Sequence, residues 1–155
     1  MKKLLFAILF VLTLPACAHP ISDLPVEIGD SIEKVKSALK TTQDVEDTKS
    51  AIQKGATALR LRTRGIWVFF DASGSAYTIR VDAPFIGRVK SVGIGSTHRS
   101  VLESLGKPAK TIKSNINIGP LANAVDPHIY YPDDKTTMQI KFDSDGLVET
   151  IFLSK

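Results

Sequence analysis

The feature that most constrains the fold of this 155-residue chain is an internal repeat of short motifs. VEIGDS at residues 26–31 resembles VGIGST at residues 92–97, at an offset of 66 residues. FDASG at residues 70–74 resembles FDSDG at residues 142–146, at an offset of 72. Two matched blocks in the same order, with about six extra residues between them in the second copy, predict two copies of one supersecondary unit.

Each copy is predicted to begin with a helix. Asp30 or Ser31 is expected to cap the first helix and Ser96 the second, with Gly106 and Pro108 as stop signals for the second. Apolar residues follow the capping motifs at helical spacing in both copies: Ile32, Val35 and Leu39, then Val101, Leu102 and Leu105.

Alternating apolar and polar residues predict strands at 59–64, 66–70, 77–81, 129–131, 137–142 and 148–153. Residues 41–58 and 109–127 are expected to form loops with short helical pieces. A unit of about 60 residues is marginal alone, whereas two units on one sheet bury a more adequate core. We therefore predict an α+β fold in which two tandem helix-plus-antiparallel-strand repeats share one sheet, with the helices on one face. The repeats span about 26–85 and 91–153, within a single mature domain of residues 18–155.

The first 17 residues have the features of a secretory signal peptide. Lys2 and Lys3 precede an apolar stretch at residues 4–14, which is too short to span a hydrocarbon core of about 30 Å. LPAC at residues 14–17 resembles a bacterial lipobox and favours lipidation of Cys17, which would anchor a periplasmic protein to the outer membrane. The alternative is ordinary cleavage at Ala18, which would give a soluble periplasmic protein.

The signal peptide changes what the net charge indicates. The sequence pI of about 9.2 and the formal net charge of +4 point at first to a nucleic-acid partner. Removal of Lys2 and Lys3 lowers the net charge to +2, which is ordinary for an exported domain. No nucleic-acid partner is therefore expected.

No motif in the sequence predicts a cofactor or a metal site. GIG at residues 93–95 has the spacing that opens a dinucleotide motif, but His98 stands where the third glycine belongs. Asp143 and Asp145 resemble the opening of a calcium loop, but Ser154 stands where the bidentate glutamate belongs. A hairpin turn is the better interpretation of the aspartates.

Catalysis is not predicted either. His98 and His128 do not have metal-ligand spacing. Asp126, His128 and Asp133 are the remaining acid–base candidates, but the Asp-Pro and Pro-Asp pairs beside them are typical of turns. We expect no catalytic residues, and hence a protein that is not an enzyme.

The repeat also orients the strands. Ile140 and Phe142 match Val68 and Phe70, and these apolar residues are expected to face the helices. Their neighbours in sequence then face away, on what we call the open sheet face. The predicted partner-binding residues of this face are Arg60, Arg62, Arg64, Trp67, Phe69, Arg80, Gln139, Lys141 and Phe152.

Tryptophan and arginine on one surface favour a binding interface. Two alternatives remain for this surface. In the first, the segment of residues 41–58 covers Trp67, which then packs inside the fold instead of binding a partner. In the second, the arginines form a solvated sheet face or a row with partial charge partners.

The second copy carries a resemblance to known families. Its elements are IGST at residues 94–97, LGKP at 105–108, YYP at 130–132 and FDSDGLVETI at 142–151. They resemble the repeat of the β-lactamase inhibitor protein family and of the outer-membrane assembly lipoprotein BamE (SmpA/OmlA) family. The resemblance implies a non-catalytic protein that binds other proteins, in the inhibitors through the concave sheet face.

These observations favour an exported, non-enzymatic module that binds another envelope protein through its open sheet face, as an inhibitor or neutraliser of a periplasmic enzyme or toxin. One alternative is an outer-membrane assembly accessory anchored through Cys17. Another is a binder of anionic lipids or small ligands that uses the arginine row.

Overall fold

A computed structural model describes residues 23–48, 54–113 and 125–155. The signal peptide, the lipidation of Cys17 and parts of the two segments predicted as loops lie outside these residues. Within them, no helix combines the length and the apolar character needed to cross a membrane. The described chain is mostly β, with two short α-helices.

The elements alternate between helices and groups of strands along the chain. The helices are α1 (Ile32–Ala38) and α2 (His98–Leu105), and a 3-10 turn covers Arg62–Arg64. The strands are β1 (Glu46–Asp47), β2 (Thr57–Leu61), β3 (Ile66–Phe70), β4 (Ala76–Asp82), β5 (Lys110–Thr111), β6 (His128–Asp133), β7 (Thr136–Phe142) and β8 (Val148–Ser154).

All eight strands form one open antiparallel sheet in the order β1-β2-β3-β4-β8-β7-β6-β5. The two halves of the chain meet at the centre, where Ile79 of β4 pairs with Leu153 of β8. Each outermost strand, β1 and β5, is only two residues long. Short edge strands give little template for pairing with another chain.

One face of the sheet and both helices enclose the core. Val35 and Leu39 of the first helical segment and Val101 of α2 belong to the same buried cluster as the inward side chains of the strands. Alternate residues of the strands point into this cluster, as the period of two requires: Leu59, Leu61, Val68, Phe70, Ile79, Val81, Met138, Ile140, Ile151 and Leu153. The α+β prediction is confirmed at the level of one antiparallel sheet with two helices.

The β3–β4 and β7–β8 hairpins share a detailed hydrogen-bond pattern. The Gly29 amide donates to the Ala76 carbonyl (2.7 Å), and the Gly95 amide donates to the Val148 carbonyl (2.8 Å). Each hairpin also has a register shift at its turn, after Phe69 in β3 and after Lys141 in β7. The bonded residues are related by the same offsets of 66 and 72 that relate the sequence motifs.

Three local expectations are corrected by the structure. The strand predicted over residues 59–64 ends at Leu61, because Arg62–Arg64 form a 3-10 turn that closes at Gly65 with φ of 63°. Thr97, not Ser96, caps α2, since its side chain accepts the Ser100 amide (3.1 Å). The described parts of residues 41–58 and 109–127 contain strand segments at both edges of the sheet rather than helical pieces, because they pair with distant residues.

Candidate functional site

A row of polar and aromatic side chains crosses the open sheet face, the side of the sheet opposite α1 and α2. The strand register places Arg60 beside Trp67, Trp67 beside Arg80, Arg80 beside Phe152 and Phe152 beside Gln139. These five residues come from five adjacent strands. Sequence analysis predicted that they share a face, and the structure brings them together.

Cations and rings alternate along this row. The guanidinium carbon of Arg80 lies 5.5 Å from the Trp67 ring centroid and 5.9 Å from the Phe152 ring centroid. Arg62 directly follows the end of β2, and its guanidinium carbon lies 5.8 Å from the Trp67 ring centroid. The Lys141 ammonium nitrogen lies 5.2 Å from the Phe152 ring centroid. Both rings are therefore flanked by two cations within the range of cation–π attraction.

Two carboxylates neutralise part of the positive charge. Arg80 forms an ion pair with Asp82 (2.5 Å), and the Trp67 indole N–H also donates to Asp82 (3.4 Å). Arg60 forms an ion pair with Glu46 of β1 (2.7 Å). Sequence analysis did not name Asp82, although it lies two residues after Arg80 on β4 and strand alternation places the two on one face. Glu46 was not predictable because its contact depends on the pairing of a two-residue edge strand.

Two cations of this face lack such partners. Arg62 and Lys141 form no ion pair with any residue in the described ranges. The Arg80 Nε is buried and has no hydrogen-bond partner among those residues, although the Arg80 side chain as a whole is 40% exposed. The face therefore retains positive charge and an unused donor next to its aromatic rings.

Arg64 does not belong to the open sheet face. Its guanidinium donates to the Leu39 carbonyl at the end of α1 (2.6 Å), on the helix side of the sheet. The cause is the 3-10 turn, which ends the strand alternation that placed Arg60, Arg62 and Arg64 together in sequence. Of the predicted face residues, Arg64 is the one that lies elsewhere.

The remaining predicted residues complete the face around the row. Phe69 lies on β3 two residues after Trp67 and contacts the Tyr77 ring, with the two centroids 6.4 Å apart. Lys141 pairs with Thr150 on β8. In the described part of residues 41–58, Gln43 donates to the Arg60 carbonyl (3.1 Å), and Trp67 itself is half-buried.

A second cluster of rings lies where α2 packs on the core side of the sheet, near β6 and β7. The His98 and His128 ring centroids are 4.8 Å apart, and both rings meet Phe142 edge-on at 5.3 and 5.0 Å. The Tyr130 hydroxyl lies 3.4 Å from His128 Nδ1 and donates to the Gly106 carbonyl (3.3 Å). Sequence spacing did not predict this pair, because a strand and a distant helix bring the histidines together.

Burial controls the protonation of His128. Its side chain is buried, and desolvation lowers its pKa below the ordinary value; the positive potential of His98 acts in the same direction. Asp126 opposes these effects by favouring the protonated form. Burial likewise raises the pKa of Tyr130.

The acid–base set considered from sequence is not brought together as a whole. His128 begins β6, whereas Asp133 ends it, where the Asp133 carboxylate accepts the Lys135 amide in the β6–β7 turn (2.9 Å). That hydrogen bond is the main reason why the pKa of Asp133 is lowered. Asp133 thus has the role of a turn residue.

The hairpin-turn interpretation of the aspartate motifs is confirmed. Asp143 accepts the amides of Asp145 and Leu147 (both 2.9 Å). Asp71 accepts the Ser73 hydroxyl and the amides of Ser73 and Ser75 in the equivalent turn. The Ser73 hydroxyl is the main cause of the lowered pKa of Asp71.

Comparisons with known proteins reveal similarity in fold alone. No family model matches the chain, and no curated protein matches its sequence. An extracellular protein containing an SCP domain from Bacillus anthracis has a TM-score of 0.58 at 12% identity, over 95% of this chain and 50% of that chain. A cysteine-rich secretory protein from Staphylococcus aureus has a TM-score of 0.55 at 12% identity, over 86% of this chain and 46% of that chain.

A DUF4309 family protein (YjgB) from Bacillus subtilis is also similar, with a TM-score of 0.48 at 12% identity, over 80% of this chain and 77% of that chain. The present chain spans about half the length of the first two structures. The resemblance to the β-lactamase inhibitor and BamE families is wrong, because the fold matches these secreted Bacillus and Staphylococcus proteins instead. The motifs behind that resemblance are short local elements: the cap and the end of α2, the β7–β8 turn and parts of β6 and β8. Such elements do not specify a family.

Proposed function

We propose that this chain is a non-enzymatic, exported protein that binds a carboxylate-rich surface of another protein through its open sheet face. The observation that carries the proposal is Trp67 flanked by Arg62 and Arg80 on the face that the helices leave free. Tryptophan and arginine are the residues that most often dominate binding energy at protein interfaces.

The charge of the face favours an acidic partner. Arg62 and Lys141 have no carboxylate partner in the described chain, and each lies beside an aromatic ring. A carboxylate of the partner would gain a charge-assisted hydrogen bond while the ring covers the apolar stem of the cation. The flat aromatic surface would supply the area that excludes water around these contacts.

The histidine cluster supports a non-enzymatic role. His128 is the candidate general base, yet its ring is buried against Phe142, His98 and Tyr130. A group in this position stabilises the packing between α2 and β6 and does not present its nitrogen to a substrate in a cleft. Asp133, which sequence analysis grouped with His128 as an acid–base candidate, instead accepts the Lys135 amide in a turn at the other end of the strand.

We also infer that the sheet arose by duplication of one helix-and-strand unit. The support is the shared offset of the sequence motifs, the hydrogen bonds from Gly29 and Gly95, and the register shifts in both hairpins. Under this duplication, Trp67 of the first copy and Gln139 of the second copy occupy equivalent positions. Only the first copy therefore carries the tryptophan, which makes the binding face asymmetric.

Export is inferred from the N-terminal sequence alone. The basic start, the apolar stretch and LPAC at residues 14–17 support a signal peptide, and Cys17 is the residue that a lipid anchor would modify. Substitution Cys17→Ser tests the anchor, because the exported chain should then leave the membrane fraction. Retention of the variant in membranes would contradict lipidation at this residue.

The binding proposal is tested by capture and calorimetry with paired variants. Partners are captured from the envelope and the growth medium on the immobilised chain and identified by mass spectrometry, and their Kd is then measured. The double variant Trp67→Ala, Arg62→Ala should weaken binding by about 100-fold or more, as the loss of an interface hot spot does.

The matched control removes one cation and one apolar side chain from α2. Arg99 is 89% exposed and Leu102 is also exposed, both on the helix side of the sheet. Arg99→Ala, Leu102→Ala should leave the Kd unchanged. Equal binding by both double variants, or equal loss in both, would contradict the assignment of the open sheet face. Binding to anionic lipid vesicles with no protein captured would favour the lipid-binding alternative instead.

A further inference from the structure

A cavity of about 670 Å³ lies on the helix side of the molecule, away from the open sheet face. Its walls are formed by the end of α1, the 3-10 turn, the segment of residues 84–87 and the segment of residues 23–25. The volume is in the range of sites that bind small organic ligands, about 300–1,000 Å³.

The cavity has an apolar base and a charged rim. Leu39 and Ile66, each 2% exposed, form part of the base with Phe85, which is half-buried. Ile86 is 90% exposed beside the cavity and extends the apolar surface to solvent. Its side chain is therefore accessible to a ligand in the cavity.

Two cations stand at the rim. Lys40 and Arg64 both line the cavity and are exposed, whereas Asp23 is the single acidic residue in the lining. The Arg64 guanidinium is held in place by its hydrogen bond to the Leu39 carbonyl (2.6 Å). The rim therefore carries a positive charge above an apolar base.

The backbone at Lys40 has a left-handed conformation just after the end of α1. Lys40 has φ of 48°, in the left-handed region that follows many helices and that glycine occupies with the least strain. A lysine here stabilises the helix end less than a glycine would, and this lysine lines the cavity.

We propose that this cavity binds an amphiphile with one ionised carboxylate, of the fatty-acid class. The alkyl chain would lie against Leu39, Ile66 and Phe85, with Ile86 covering its exposed side. The carboxylate would accept hydrogen bonds from Lys40 and Arg64 at the rim. This assignment is independent of the proposed protein-binding face, because the two sites share no residue.

The probe is laurate at concentrations at which it is monomeric, with dodecylammonium as a probe of the same chain length and opposite charge. Isothermal titration calorimetry on the full chain should give one saturable laurate site and at least about tenfold weaker binding of dodecylammonium. Equal binding of the two probes, or no saturable laurate binding, would overturn the proposal.

Substitutions to glycine separate charge from folding. Lys40→Gly removes the rim cation and relieves the positive φ, so the melting temperature should stay equal or rise while the Kd for laurate increases about fivefold. Lys90→Gly is the matched control, since Lys90 has φ of 49° and does not line this cavity. An unchanged laurate Kd in Lys40→Gly, or an equal loss in both variants, would overturn the role of Lys40.

A further variant tests the apolar part of the site. Ile86→Ser should weaken laurate binding without lowering the melting temperature, because Ile86 is exposed. A laurate Kd identical to that of the parent chain would overturn the assignment of the cavity. A second copy of the chain seated in the cavity would appear as a concentration-dependent dimer that excludes laurate, and that result would also overturn it.

Discussion

The Arg80 guanidinium carbon lies 5.5 Å from the ring centroid of Trp67, on the neighbouring strand of the sheet. The same arginine reaches Phe152 on its other side, so it joins two aromatic side chains of the open sheet face across the central β4–β8 pair. Substitution Arg80→Ala should therefore expose Trp67 to water. We expect a shift of its fluorescence emission to longer wavelength and a loss of about 0.5–2 kcal/mol in the free energy of unfolding.

Trp67 is the only tryptophan of the chain, so its emission reports this site alone. Arg99→Ala, on α2, is the control and should leave the emission unchanged. An unaltered spectrum in Arg80→Ala would contradict the stacked arrangement.

The stability of the protein should fall at mildly acidic pH because of His128. Its pKa in the folded protein is lower than the ordinary value of 6.5, mainly through burial. As the pH falls below about 6.5, the unfolded chain binds a proton that folded His128 still excludes, so the free energy of unfolding decreases. The loss continues until the pH reaches the lowered folded-state pKa.

Urea unfolding between pH 8 and pH 5 measures this effect. In the variant His128→Phe the decrease should be smaller than in the parent chain, because an apolar ring has no proton to bind. The same slope in parent and variant would show that other groups cause the pH dependence. His98→Phe provides a second comparison, since it removes the positive potential that helps to lower the pKa of His128.

The cap of α2 provides a test of the corrected helix boundary. Thr97 accepts the Ser100 amide, whereas the Ser96 hydroxyl accepts the Gly93 amide before the helix begins. Thr97→Ala should cost about 1 kcal/mol in the free energy of unfolding, and Thr97→Ser should retain most of it. A lower free energy of unfolding in Ser96→Ala, with no change in Thr97→Ala, would instead support the helix boundary predicted from sequence.

Two glycines with positive φ should respond very differently to alanine. A Cβ at Gly65 would lie 2.0 Å from the Asp82 carbonyl oxygen, whereas a Cβ at Gly95 would meet no atom within 4 Å. Gly95→Ala should cost about 1 kcal/mol through backbone strain alone. Gly65→Ala adds a backbone clash and should cost at least about 2 kcal/mol more. Similar midpoints in denaturant for the two variants would contradict the close approach at Gly65.

The parts of the fold that depend on neighbours in sequence were predictable. Ile66–Phe70 was predicted with its observed limits, although its five residues are all apolar and do not show which side faces the core. The alternation of Ile140 and Phe142 with Gln139 and Lys141 gave the orientation of the second copy, and the internal repeat then placed Trp67 and Phe69 on the open sheet face. The offsets of 66 and 72 were sufficient for this because the turns and caps are local structures.

The parts that depend on distant pairing were not predictable. β1 and β5 are two residues long and carry no alternation, and the His98–His128 contact joins a helix to a strand. Arg64 was misplaced because the pattern of residues 59–64 continues past Leu61, while the chain turns there to bring Gly65 against Asp82. The family resemblance was misleading because it rested on short local motifs, which do not determine how distant strands pair.

The order of the strands has a consequence for how the chain reaches this state. β8 is the last of the eight strands in sequence but lies at the centre of the sheet, between β4 and β7. Until β8 docks, β4 presents an unpaired seven-residue edge, and the contact that closes it joins Thr78 to Ser154. Contacts of such long sequence separation form slowly because loop closure precedes any gain from pairing. A chain that emerges N-terminus first would therefore leave this edge of β4 unpaired until its last residues, those of β8, have followed.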